Sequence, residues 1–157
     1  MSVSRHIQEY LQSRGATYEL LPHPQAFEAR EVAHTLHIPE AQFAKAVVLR
    51  ADGRLVMAVL AASHRINFHY LRERLEVSHL DMAAEHDLAS LCSDCELGAF
   101  PPFGHLYGME VWVDIELTRS QEIIFNAGTH GEALRMKYAD YAGLETPHVA
   151  VFAELPE

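Results

Sequence analysis

The chain has few cysteines, a single tryptophan, no surplus of positive charge and no long apolar run. Each shortage removes a class of protein. Two cysteines, Cys92 and Cys95, are too few for a disulfide-built secreted scaffold. The opening segment MSVSRHIQEY is too polar for an export signal, so a cytoplasmic location is expected. No apolar stretch nears the ~20 residues that cross a bilayer, and no membrane partner is expected. A formal net charge of -10 argues against an indiscriminate binder of DNA or RNA, whose affinity comes largely from neutralising phosphates. A GxSxG elbow, an HExxH pair, a Walker loop and a Rossmann glycine pattern are all missing. No cofactor is therefore implied, and no covalent nucleophile stands out. Ser63-His64 and Ser78-His79 are only sequence neighbours, and a triad must be built in three dimensions.

What is present suits one compact domain over residues 1–157. Hydrophobic residues make up 49% of the chain, enough for a real core. Helical spacing of Val3, Ile7, Tyr10 and Leu11 predicts a helix over about residues 3–14, with Gly15 as its stop. A strand over Thr17–Leu21, ended by Pro22-His23-Pro24, precedes a second helix over Glu28–His37. Two β-rich runs, Ala44–Ala51 and Arg54–Ala61, flank Asp52-Gly53 and predict a hairpin, because glycine tolerates the positive φ of a tight turn. Phe68, Leu71 and Leu75 fit a short helix, and Ser78–Leu91 fits another. Period-two alternation predicts a strand over Glu110–Leu117. Further strands are expected at Glu122–Ala127, Ala133–Met136 and His148–Phe152, with a helix at Tyr138–Leu144. The sum is an α/β fold: a mixed, mostly antiparallel central sheet flanked by helices.

Gly98-Ala99-Phe100-Pro101-Pro102-Phe103-Gly104 is the most informative stretch. Each proline fixes its own φ, lacks a donor, and restricts the residue before it. The result is either a tight crossover or a stiff wall holding backbone groups beside a pocket. Lys45 lies in an otherwise apolar strand. It either buries its stem and leaves its head in water, or anchors an anion or carbonyl oxygen at a pocket rim. His130, in Asn126-Ala-Gly128-Thr129-His130-Gly131, is either a solvent-facing turn residue or a ligand-facing imidazole that can bond or shuttle a proton. Asn126 and Thr129 have the turn-capping chemistry of their type. Cys92-Ser-Asp-Cys95 has the spacing of half a zinc site, but a closed site needs four ligands and no second such pair exists. No metal site is expected.

Lys45 with the strand after it, Gly98-x-x-x-Pro102 within DCELGAFPPFG, and FNAGTHGEALRMKYADY together resemble the YbaK/prolyl-tRNA synthetase editing-domain family. The resemblance runs from the N-terminal helix to about Leu144. It implies hydrolysis of the ester joining a wrong amino acid to tRNA, with the acceptor end of a mischarged tRNA as partner and a synthetase as a possible recruiter. It places Lys45, Gly98 and His130 at the active site. Ala99, Phe100, Pro101, Pro102, Gly128 and Thr129 then line the substrate. His130 is the feature that suggests the prolyl-editing branch, and alanine is the first expected amino acid. Phe100 either narrows the pocket or packs outward. Arg5, Arg14, Arg30, Lys45, Arg50 and Arg54 concentrate positive charge in the first third, as a solvated surface or as a tRNA-facing side. Two other readings are a binding module of the same fold without catalysis and a small-molecule hydrolase.

Overall fold

The strand over Phe43–Ala51 (β2) and the strand over Arg54–Ala61 (β3) form the centre of the molecule in a computed structural model that describes residues 4–96 and 98–156. Asp52 and Gly53 both take positive φ, 46° and 89°. That is the twist a two-residue hairpin needs. The register runs unbroken from Ala44 opposite Ala61 to Ala51 opposite Arg54. Both strands are covered on both faces, which accounts for their nearly continuous apolar sequence. Ala44, Val48, Met57, Val59 and Ala61 join one core cluster, while Leu49, Ala51, Val56, Ala58 and Leu60 join another on the opposite side.

Around this hairpin the sheet grows in both directions. On one side β2 pairs in parallel with Glu122–Asn126 (β7), which pairs with Glu132–Lys137 (β8), which pairs with Glu19–Pro22 (β1). On the other, β3 pairs in parallel with Glu110–Asp114 (β6), and β6 with His148–Ala150 (β9). Arg65–Ile66 (β4) and Ala153–Glu154 (β10) make a separate small ladder. Helices Arg5–Ser13 (α1), Ala29–Thr35 (α2), Phe68–Leu75 (α3), Glu85–Leu91 (α4) and Tyr138–Glu145 (α5) flank the strands. The expected mixed, mostly antiparallel sheet with flanking helices is what the chain forms. Ile7 and Leu11, one helical turn apart, bury the inner face of α1. Val3 lies outside the described residues.

Three elements differ from the sequence reading. The stretch Ser78–Leu91 is not one helix. Leu80–Met82 is a strand (β5) that pairs with Leu49–Ala51 of β2, and only Glu85–Leu91 is helical. The cause is Asp52 in the hairpin turn: its carboxylate accepts the backbone N–H groups of Ser78 and His79 and pins the segment to the sheet. Similarly, the strand predicted over Glu110–Leu117 stops at Asp114 and continues as a 3₁₀ helix over Ile115–Arg119. Asp114 is 1% exposed, and its carboxylate accepts from the N–H groups of Glu116, Phe152 and Ala153. A period-two pattern cannot reveal that a buried carboxylate turns the chain. The same contact explains why the His148–Phe152 strand ends at Ala150, since Phe152 gives its N–H to Asp114.

Removing that carboxylate leaves buried donors without an acceptor. Asp114→Ala is expected to lower unfolding free energy by about 2–4 kcal/mol, read by urea denaturation. A loss well under about 1 kcal/mol would show that the corner holds without it.

Candidate active site

The sheet opens where β2 and β7 part. Their parallel pairing extends over only two positions, Phe43 beside Ile124 and Ala44 beside Phe125. Farther along, the same edge of β2 is taken by β5, from Leu49 to Ala51, and Val48 C=O accepts the N–H of Ala83. Between these attachments lies the edge of β2 that carries Lys45, Ala46 and Val47. A cavity of about 370 Å³ opens here, bounded by Ala46 and Val48 of β2, by Met82, Ala83 and Leu88, and by Gly98 and Phe100 of the proline loop.

The proline loop is clasped to the turn after β7. Glu96 N–H donates to Gly128 C=O at 2.8 Å, and Gly128 N–H donates to Ala99 C=O at 2.8 Å. The Glu96 carboxylate accepts from Thr129 Oγ1 at 2.8 Å and from the backbone N–H of His130 at 3.2 Å. Burial opposes ionisation of Glu96, but these donated hydrogen bonds outweigh it and hold its carboxyl below the usual value. Gly98 and Gly128 adopt positive φ, 83° and 95°, a conformation costly for other residues. Gly128 is also packed against Ser4, where a Cβ would lie 2.8 Å from the Ser4 Cβ. A Cβ on Gly98 would lie 3.5 Å from His130 Cε1. The clasp thus brings Gly98, Ala99, Gly128, Thr129 and His130 into one cluster.

His130 is not the exposed turn residue that its flanking glycines suggest. It is 3% exposed, and its ring meets that of Phe27 with centroids 5.0 Å apart. Segment 23–26 covers it: Ala26 N–H donates to His130 C=O, and His23 N–H to Gly131 C=O. Thr129 is fully buried. Phe100 does not pack outward. It is buried against the edge of Tyr107, centroids 4.9 Å apart, and presents a wall to the cavity. Pro101 and Pro102 are buried behind it, and Tyr141 Oη donates to Pro102 C=O at 2.6 Å. The prolines therefore brace the loop from the core side.

Lys45 stands apart from that cluster. Along β2, Ala44 and Val48 face the large core, whereas Phe43 faces the cluster under α2. Lys45 shares the face of Phe43 and is not among the residues that line the cavity. It is half-buried. Desolvation, reinforced by the positive charge of Arg30, lowers its pKa from the ordinary lysine value. Among the described residues its ammonium has no hydrogen-bond or ion-pair partner.

Cys92 and Cys95 are joined by a disulfide in this structure, and both line the cavity. Their Cα atoms are 5.4 Å apart because a tight turn, Cys95 N–H to Cys92 C=O, follows α4. The arginines of the first third do not form a bare basic patch. Arg30 pairs with Glu40, Arg50 with Asp87, and Arg54 with Glu110, while Arg14 lies over the Tyr10 ring.

A sheet opened beside a lysine and walled by a glycine-proline loop is the setting in which to place this chain among known proteins. The model of the aminoacyl-tRNA editing domain matches residues 23–144. The chain belongs to that family. Among similar proteins is the multifunctional Ser/Thr-tRNA deacylase ProXp-y of Escherichia coli (strain K12), 26% identical over 90% of this chain and 87% of that protein. A proline–tRNA ligase of Streptococcus pneumoniae (strain Hungary19A-6) is 28% identical over 64% of this chain but only 16% of the ligase. In fold, the chain is similar to a crystal structure titled as a putative trans-editing enzyme for prolyl tRNA synthetase. The TM-score is 0.85 at 20% identity, over 96% of each chain. The family resemblance read from the three sequence motifs therefore holds, as does the fold expected from it.

Two glycine substitutions separate backbone strain from packing. Gly98→Ala meets only ordinary contacts but must hold a positive φ, and is expected to lose about 1 kcal/mol of stability. Gly104→Ala would place a Cβ 2.7 Å from Val111 Cγ2 and 3.1 Å from Met109 C=O, and should lose about 2–3 kcal/mol. Thermal denaturation of the two variants checks the order, and the reverse order would contradict this packing.

The Glu96 clasp has a pH signature. A carboxyl whose folded pKa is lowered stabilises the fold above its unfolded value, and this contribution fades as pH falls through the folded one. Wild type should lose more thermal stability than Glu96→Gln as pH drops below the ordinary glutamate value of 4.5. Parallel curves for the two proteins would remove Glu96 from the acid response.

Proposed function

We propose that this chain is a free-standing hydrolase that cleaves the ester between a small noncognate amino acid and tRNA, acting in trans on the acceptor end. The observation that carries this reading is Lys45: a half-buried lysine whose ammonium has no partner among the described residues, on the strand edge beside an opening walled by the Gly98–Pro102 loop. Desolvating such a group without a partner is unfavourable, and an oxygen-rich ligand supplies what the protein withholds. Family membership and the E. coli deacylase relative support the same reading.

The chemistry asks little of the protein. An aminoacyl ester is already activated, so a positioned water suffices as nucleophile, and the neighbouring ribose hydroxyl can orient it or take its proton. As water adds to the ester carbonyl, negative charge grows on its oxygen. Preorganised donors aimed there lower the barrier. The N–H of Ala99 is already given to Glu96 C=O, and in this reading the Lys45 ammonium serves as a donor to the acceptor end or the developing oxyanion. Collapse of the tetrahedral intermediate returns a proton to the leaving ribose oxygen and frees the amino acid. Gly98 and His130 fix the wall against which the aminoacyl group lies, with Ala99, Gly128 and Thr129 holding that wall in register. Phe100, with Pro101 and Pro102 behind it, limits the room for a side chain. Such a limit excludes a larger cognate residue where binding alone separates one methylene by only about 1–3 kcal/mol. Alanine attached to a proline tRNA is the first substrate of this reading. No cofactor enters the scheme.

A panel of tRNAs charged with alanine, serine, threonine and proline tests it. Wild type should release a small amino acid faster than spontaneous hydrolysis and spare proline. Lys45→Ala should reduce the rate by about 10²–10³-fold without loss of fold. If no ester in the panel is cleaved faster than in buffer, the chain is a binding module of this fold instead.

A further inference from the structure

Asn126 ends β7 at the point where β7 leaves β2, and it is 7% exposed. Its carboxamide oxygen is buried and has no hydrogen-bond partner among the described residues. Leaving a buried acceptor without a donor is unfavourable, so a residue in that state in a tightly packed sheet calls for an explanation. Its place in the fold supplies one. Ile123 and Phe125 face the large core, while Ile124 faces the cluster under α2. Asn126 follows in the same alternation and shares the face of Ile124. On the neighbouring strand, Lys45 shares that face with Phe43. After the pairs Phe43–Ile124 and Ala44–Phe125, the next position on each strand is Lys45 and Asn126. A donor and an acceptor, neither bound to a group among the described residues, therefore flank the opening of the sheet on one side.

From this juxtaposition we infer that Asn126 Oδ1 is a substrate-reading acceptor that takes a hydrogen bond from a hydroxyl of the bound aminoacyl-adenosine end. The inference rests on the ester-hydrolase reading above. The donor it takes is neutral. The Lys45 ammonium, without an ion-pair partner among the described residues, disfavours a second cation such as the α-ammonium on this side of the opening. An acceptor-only atom excludes an anion as well. Of the neutral donors on that end, the hydroxyls lie next to the ester, while the adenine amine is remote from it; the substrate offers such a hydroxyl in two places: on the side chain of a hydroxyl-bearing amino acid, and on the ribose carbon next to the ester. A site built around a hydroxyl discriminates strongly against the analogue that lacks it, because the buried acceptor is then left empty. Asn126 is accordingly a specificity-determining residue.

The test has two arms on one tRNA. The first compares seryl with alanyl esters. The second compares a terminal adenosine that keeps its 2′-hydroxyl with its 2′-deoxy counterpart, both esterified at the 3′ position. Each ratio is measured for wild type, Asn126→Leu, Asn126→Ala and Asn126→Asp, with thermal midpoints to confirm folding. Wild type should favour the hydroxyl-bearing substrate in one arm by at least about tenfold. Asn126→Leu and Asn126→Ala should bring that ratio to near one, and Asn126→Asp, which keeps an acceptor, should preserve it. Collapse in the first arm identifies the amino-acid hydroxyl, and collapse in the second the ribose hydroxyl. If wild type cleaves the esters but shows no preference in either arm, or the folded alanine and leucine variants keep it, Asn126 does not read a hydroxyl and the hydrolase reading still stands. If wild type cleaves no ester, the functional reading fails and this assignment falls with it.

Discussion

Two backbone hydrogen bonds join the turn at 96–99 to Gly128, and the geometry of the opening depends on them. They act as a short ladder rung between a loop that cannot form a strand and a strand that has just ended. Glu96 strengthens the rung by accepting from Thr129 and His130 at once. A carboxylate receiving two directed donors is a stronger link than a neutral pair. Without the clasp, Gly98 and His130 would belong to two independent loops. With it they form one wall, joined by backbone and carboxylate hydrogen bonds.

The sheet contributes the other half of the design. β2 and β7 pair only briefly, and β5 takes over the edge farther on. Between these attachments no strand pairs with that edge of β2 among the described residues. An unpaired edge in a soluble protein ordinarily invites aggregation. Here it is recessed beneath the proline loop and α4 rather than displayed on the outside. The prolines suit this position because they need no ladder donor and are held by the core, through Tyr141 on Pro102.

Much of this was legible in the residues alone. The hairpin at Asp52-Gly53, the β1, β7 and β8 strands, and the helices near both ends follow from period and turn chemistry. The glycine-proline loop and the histidine turn come together through the clasp, whereas Lys45 stands apart from them on the other face of β2. What escaped notice shares one cause: acidic side chains that bond to distant backbone. Asp52 turns a predicted helix into β5, and Asp114 ends β6 early. Local propensity carries no trace of a donor tens of residues away. The burial of His130 was hidden for a related reason, since it is covered by residues 23–27 from the far end of the sheet. Asn126 looked like a turn cap because its empty acceptor exists only once β2 and β7 have parted.

The placement of Ser4 has a consequence for how the protein is made. Ser4 N–H donates to Ala127 C=O, its hydroxyl donates to Asp94, and the two partners of that side-chain bond are 90 residues apart in sequence. The neighbourhood of Gly128 is therefore held by contacts from the start, the middle and the later part of the chain. Contacts of such separation form late, after the entropy of closing long loops has been overcome. During synthesis the central hairpin can fold early from adjacent residues. The neighbourhood of Gly128 waits until the segment through Gly131 has left the ribosome, so the loop wall is assembled after the hairpin it stands beside.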